Sequence, residues 1–145
     1  MKAKTLAAII SCGFAACACS QPTGVAGTPC NNGVCKLEVT VASGGCSNAA
    51  NISVNVDPVK VPKNQPNKIE WTIVTDGFSW VAAPGGITSL PASQFENPQD
   101  NGKKYQIHDK NTDQVPTDHK YDIHLKDASG NLCAVKDPTI KNGAS

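Results

Sequence analysis

Lys68-Ile69-Glu70-Trp71-Thr72-Ile73 decides the fold class. Ile69, Trp71 and Ile73 alternate with Lys68, Glu70 and Thr72, the two-residue period of a strand with one buried face. The same period recurs on both sides of it. Leu37, Val39 and Val41 alternate with Glu38 and Thr40, and Ile52, Val54 and Val56 with Ser53, Asn55 and Asp57. Val59 and Val61 continue between Pro58, Lys60 and Pro62. Those prolines lack an N–H for the ladder, so the segment is expected at an edge or as an irregular strand. Downstream, Phe78 and Trp80 follow a Thr75-Asp76-Gly77 turn. Tyr105 and Ile107 alternate with Gln106 and His108, and Tyr121, Ile123 and Leu125 with Asp122, His124 and Lys126.

A last strand is expected over roughly Cys133 to Ile140. Turn signals separate these runs: Ser43-Gly44-Gly45, Pro84-Gly85-Gly86, Asn101-Gly102 and Asp127 to Asn131. Residues 87–101 are the least regular part and read as a long excursion pinned by Phe95. No window of a dozen residues carries the helical period. Seven or eight short strands, each with one apolar face, predict an all-β domain: an antiparallel Greek-key β-sandwich over residues 30–145.

Composition agrees with one folded domain. The chain has 145 residues, 39% hydrophobic and 17% charged, with 13 basic side chains, all lysine, against 12 acidic ones. A nucleic-acid partner is not expected, because phosphate contacts need clustered cations and arginine carries much of base readout.

The N-terminus reads as an address. Met1-Lys2-Ala3-Lys4 is a short basic region, and Leu6 to Ala16 is uncharged and mostly apolar. That run is shorter than the roughly 20 residues a membrane-spanning helix needs, but suits a secretory signal. Phe14-Ala15-Ala16-Cys17 resembles a bacterial lipobox, with Phe where Leu is usual. The expectation is a signal peptide over 1–16, a lipidated Cys17 and a Gly-, Ala-, Thr- and Pro-containing tether over 17–29. Ordinary cleavage after Ala16-Cys17-Ala18, with release into the periplasm, is the alternative. The expected partner is therefore a membrane, reached through a lipid such as palmitate, and an envelope protein partner stays open. Ala18, beside that Cys, is not the Asp that retains some lipoproteins at the inner membrane, so analogy places the chain at the outer membrane facing the periplasm.

The seven cysteines are 12, 17, 19, 30, 35, 46 and 133. Four of them, Cys30, Cys35, Cys46 and Cys133, fall in or near the folded domain, an even number in an exported chain, and predict two disulfides. Cys35 opens the first strand and Cys46 follows its far end. At about 3.3 Å per residue a straight strand separates them far beyond the roughly 7 Å a disulfide bridges. Cys30 and Cys35 flank Asn31-Asn32-Gly33, which can turn. In an up-and-down strand count, Cys46 and Cys133 lie in loops at one end of the sandwich. The expected pairing is Cys30–Cys35 and Cys46–Cys133. A zinc site is disfavoured because no second close Cys/His pair follows Cys30 and Cys35.

The order Ile69-Glu70-Trp71, Phe78-Ser79-Trp80, Gly86-Ile87, Phe95, Tyr121-Asp122-Ile123 and Asp137 to Asn142 resembles small bacterial envelope proteins with a cupredoxin-like β-sandwich. The resemblance covers about Lys36 to Asn142. A working cupredoxin holds copper with a His between two middle strands and with Cys, His and Met in the last hairpin. On that plan Leu125 stands where the Cys belongs, Ala128 near the late His, and Leu132 or Cys133 near the Met. No His lies around Phe78 to Trp80, and the only Met is Met1. The resemblance therefore implies the fold without the copper chemistry, which needs two His and a thiolate converging. An immunoglobulin-like sandwich, with Trp71 as its central-strand Trp, is the alternative fold.

Of the three histidines, His108 and His124 alternate with core residues and should face solvent. If their strands were neighbours they would form a weak surface metal pair; otherwise they are polar surface residues. His119 starts a strand after a turn and is expected to pack against it. Trp80 and Phe78 are expected to fill the core rather than form an exposed lip. No Gly-x-Ser-x-Gly, phosphate-cradling loop or free catalytic thiol is recognisable. The expectation is a non-catalytic binding or structural domain without a cofactor, with a periplasmic electron-transfer or copper-handling protein as the alternative.

Overall fold

The computed structural model describes residues 30–63 and 67–144. The signal, lipidation and tether assignments (1–16, Cys17, 17–29), together with Cys12, Cys19 and Ser145, lie outside the described residues. The described chain is all-β. Its strands are β1 (Cys30–Asn31), β2 (Val34–Val41), β3 (Ile52–Val54), β4 (Val59–Pro62), β5 (Asn67–Ile73), β6 (Phe78–Trp80), β7 (Ile87–Thr88), β8 (Phe95–Asp100), β9 (Lys104–Asp109), β10 (Thr117–Lys120), β11 (Asp122–Ile123), β12 (Leu125–Asp127) and β13 (Thr139–Ala144). A single 3₁₀ turn, Ala49–Asn51, is capped by Asn48, whose side chain accepts from Ala50 N.

The large sheet runs β1-β2-β5-β9-β8, with β3 also on β2. Cross-strand register aligns its apolar positions in rows: Leu37 opposite Trp71 opposite Tyr105, and Cys35 opposite Ile69 opposite Ile107. These side chains are buried, while Lys36, Glu38 and Lys104 on the other face are exposed. A three-stranded sheet β10-β13-β4 and the pairs β11-β7 and β12-β6 supply the opposing side. From them Val59, Val61, Trp80, Ile87, Tyr121, Ile123, Leu125 and Ile140 join the same buried cluster. Several sheets closing on one core are consistent with a sandwich.

Two buried aromatic pairs hold the sheets together. Trp71 and Tyr121 have ring centroids 5.4 Å apart, and the indole Nε1 donates to the Tyr121 hydroxyl at 2.9 Å. Trp80 and Tyr105 lie 5.3 Å apart, with Trp80 Nε1 donating to the Lys103 carbonyl. Gly86 is required beside the second pair, because a Cβ there would stand 2.5 Å from the Tyr105 ring.

The structure corrects the sequence reading in four places. The expected antiparallel order gives way at β2–β5 and β4–β13, which are parallel. Between β2 and β5 the chain turns back as β3 and then crosses to another sheet as β4, so β5 returns in the direction of β2. The single expected strand Tyr121–Leu125 is part of a run broken into β10, β11 and β12, because the segment changes partner from β13 to β7 to β6. Such breaks raise the strand segments above the expected seven or eight. The excursion 87–101 contains β7 and β8, with Phe95 buried at the start of β8. Its Asn97 (φ 55) and Pro98 fall where the β8–β9 register shifts, which hid the strand period. The last strand begins at Thr139 rather than Cys133; before it, isolated bridges at Leu132 and Lys136 take the place of a ladder. β4, as its prolines required, lies at a sheet edge.

Tyr121→Phe removes the acceptor of a fully buried indole N–H. The expected loss is about 1–3 kcal/mol, read as a lower urea midpoint at unchanged slope. A loss below about 0.5 kcal/mol would mean that the hydrogen bond does not help join the sheets.

Candidate functional site

All four domain cysteines are paired. Cys30 and Cys35 are directly opposite across the β1–β2 hairpin, whose turn uses positive φ at Asn32 and Gly33. Cys46 and Cys133 join two loops 87 residues apart in sequence. This is the expected pairing, although the up-and-down count used to place Cys46 beside Cys133 is not the topology. The loops meet because β2 and the broken run β10–β12 both end there, and Ala134 N donates to the Cys46 carbonyl.

The structure separates the two candidate metal histidines. His108 is on β9, whose neighbours are β5 and β8, and its Nδ1 lies 3.3 Å from Glu96 Oε1. His124 lies between β11 and β12, with Nε2 2.8 Å from Thr88 Oγ1. Their strands are not neighbours, so the surface pair does not form. Among the described residues, no three His, Cys, Asp or Glu side chains form a group able to hold a metal. Leu125, at the position the resemblance gives to a copper thiolate, is buried in the core.

On the outer face of the large sheet, Lys68, Glu96, Gln99, Gln106 and His108 line a shallow depression of about 310 Å³. Beside it Glu70 takes Lys104 Nζ at 3.1 Å and Lys68 Nζ at 3.6 Å. The Lys104 hydrogen bond, joined by the lysine charges and against partial burial, holds the Glu70 carboxyl below its usual range.

The most concentrated polar chemistry lies at one end of the core. There the inward-facing rows stop being apolar. Asn67 precedes Ile69 and Trp71 on β5, Asp109 follows Tyr105 and Ile107 on β9, and Asn142 follows Ile140 on β13. All three are buried. Asn67 and Asp109 are register partners. Asp109 Oδ1 accepts from Asn111 N at 2.8 Å and from Asn142 Nδ2 at 3.1 Å, and the same Nδ2 lies 3.1 Å from Asp113 Oδ2. Asp113 Oδ2 also meets His119 Nε2 at 2.8 Å, and the His119 ring stands edge-on to Phe95. Buried Gln94 accepts from Thr112 N and Oγ1. Asn111 Nδ2 donates to the Pro62 carbonyl.

Burial pushes the Asp109 carboxyl up, against the hydrogen bonds from Asn111 and Asn142. Burial acts on Asp113 in the same direction, but hydrogen bonds with His119, Gln94 and Asn142 outweigh it and leave that carboxyl below its usual range.

Of this cluster the sequence reading singled out only His119, and for packing. Two signals could have found the rest. The core period runs on through Asn67 and Asp109 after the apolar residues end, and Asp109, Asn111 and Asp113 place oxygen-bearing side chains at every second residue. No protein-family model matches this chain, and comparison with curated proteins finds no match.

Glu70→Gln should cost about 0.5 kcal/mol at pH 7, the scale of a part-exposed ion pair. A folded carboxyl held below its unfolded value stabilises above that value and loses the contribution as pH falls through the folded one. The variant and the parent should therefore converge below the ordinary glutamate value of 4.5. Urea unfolding from pH 7 to pH 3 reads this, and a constant difference would refute it.

Proposed function

We propose that the chain is a cell-envelope lipoprotein, anchored through lipid on Cys17 and carrying a non-catalytic binding or structural domain on a short tether. The observation that carries this reading is the pair of disulfides. Together they engage every domain cysteine, and one joins residues 87 apart in sequence. Disulfides of this kind persist in oxidising compartments such as the periplasm and the cell surface. The basic residues at 2 and 4, the apolar run to Ala16 and the small residues before Cys17 supply the export address. A tether over 18–29 would reach at most about 3.6 Å per residue, keeping the domain close to the bilayer.

A cupredoxin-like Greek-key sandwich is the topology we favour. The parallel pairs β2–β5 and β4–β13 support crossovers between sheets rather than a simple meander. On that plan, among the described residues, the positions that would hold copper are taken by other side chains. Leu125 replaces the thiolate, Cys133 is bonded to Cys46, and His108 and His124 lie on strands that do not pair.

Two measurements test this. Mass spectrometry of the N-terminus should find acylated Cys17 as the first residue; a free amine at Ala18 or beyond would refute the anchor. Cu(II) added to the purified chain should leave it colourless, since the blue colour requires a thiolate on copper. A stoichiometric complex with an intense visible band would instead favour electron transfer or copper handling.

A further inference from the structure

Asp109 and Asn142 are both fully buried and hydrogen-bonded to each other, yet each keeps one oxygen without a donor. Asn142 Nδ2 lies 3.1 Å from Asp109 Oδ1 and 3.1 Å from Asp113 Oδ2, so the two hydrogens of the amide are both spent on carboxylates. Turning the amide over would set its oxygen against those same carboxylates, so this orientation is the one the site holds. What remains is Asp109 Oδ2 and Asn142 Oδ1, two buried acceptors with no hydrogen-bond partner. A buried acceptor left without a donor is costly. A single hydrogen on Asp109 Oδ2 would satisfy both, because a carboxylic acid facing a primary amide closes a ring of two hydrogen bonds: N–H to one oxygen, O–H to the amide carbonyl.

We propose that Asp109 is a proton-operated latch: in the folded chain it keeps a proton on Oδ2 that donates to Asn142 Oδ1, and loss of that proton as pH rises loosens the loop 110–116, which Asp109 Oδ1 holds through Asn111 N. The surroundings leave an ionised Asp109 little direct relief. On β5 its register partner is Asn67, and the neighbouring Lys68 is paired with Glu70. On β8 its partner is Phe95, and the neighbouring Glu96 is taken by Lys110 at 2.9 Å and His108 at 3.3 Å. On β13, Lys141 beside Asn142 is paired with Asp118, and Lys63, after β4, donates to the Gln114 carbonyl. The charged groups that act on Asp109 within the cluster are Asp113 and His119, and they are bonded to each other at 2.8 Å. Burial pushes the Asp109 carboxyl up, with Asp113 acting the same way and the donors Asn111 and Asn142 and the His119 charge acting against it. A carboxyl whose folded value lies above its unfolded one stabilises fully below the unfolded value and loses that contribution as pH rises through the folded one. The latch is therefore closed on the acid side and eased on the alkaline side. Once ionised, Oδ2 is a buried charge that only entering water can solvate, and the loop must part to admit it. The latch stands on the fold alone and does not depend on the lipid anchor.

The test uses the full chain in detergent. Carbon-13 NMR of the Asp109 carboxyl should show it titrating above the ordinary aspartate value of 3.8. Asp109→Asn supplies the missing hydrogen permanently, since its Nδ2 can donate to Asn142 Oδ1 while its oxygen goes on accepting. At pH 8 this variant should melt at least about 3 °C above the parent, and the gap should close as pH falls toward 3.8. Asp113 and His119 are present in both chains, so the difference isolates Asp109. Hydrogen exchange, corrected for its intrinsic pH dependence, should show protection at Asn111 and Thr112 falling at least about fivefold in the parent as Asp109 ionises, and staying level in the variant. Titration of Asp109 at or below 3.8 would overturn the proposal, and needs no variant to be read. A melting gap independent of pH would overturn it as well. Raised titration with unchanged protection would refute the latch, leaving Asp109 a buried acid that moves nothing.

Discussion

The hydrogen bond from Trp71 to Tyr121 is the contact on which the arrangement of the sheets turns. Trp71 sits on β5, the middle strand of the large sheet, and Tyr121 lies between β10 and β11 on the opposing side. Each brings a large apolar ring and one polar atom into the core. Burying either polar atom alone would be costly, and together they satisfy each other. Burial raises the Tyr121 phenol above its usual range, which favours the neutral hydroxyl. The bond also sets a register between the sheets that apolar packing alone would leave free to slide. Trp80 and Tyr105 repeat the device in reverse order, with the Trp on a small sheet and the Tyr on the large one.

Those aromatics were legible because a strand with one buried face repeats every two residues. The rows Leu37-Val39-Val41, Ile69-Trp71-Ile73 and Tyr121-Ile123-Leu125 are buried as their alternation required. Direction and partner were not legible. Alternation says which side of a strand is dry, but it is the same for parallel and antiparallel neighbours. The two parallel pairs follow from where the chain crosses between sheets, a property of long connections rather than of any local pattern. β8 was hidden for a local reason: Asn97 and Pro98 interrupt the period where the strand bulges.

The buried polar cluster was missed for a different reason. Pattern reading stops at the first polar residue, so Asp109 reads as the end of the Tyr105-Ile107 strand although it keeps the core-facing phase. A charged residue in that phase is informative because an apolar one would have been easier to bury. His119 illustrates the converse. Its sequence setting suggested a packing role, and it does pack on Phe95, but it is also the partner of Asp113.

The two ends of the domain are therefore closed by different chemistry. At one end the Cys46–Cys133 disulfide ties the loop after β2 to the loop after β12, a covalent lock whose effect depends on chain connectivity. At the other, the loop between β9 and β10 is held by Asp109, Gln94, Asp113 and Asn142, a lock made of hydrogen bonds. The covalent closure holds whatever the surrounding ions. The polar closure gathers two carboxylates around one amide, so its strength depends on what shares their charge. Burial pushes the Asp109 carboxyl up, and the donors that offset this are Asn111 N and the Asn142 amide, with the His119 charge acting in the same direction.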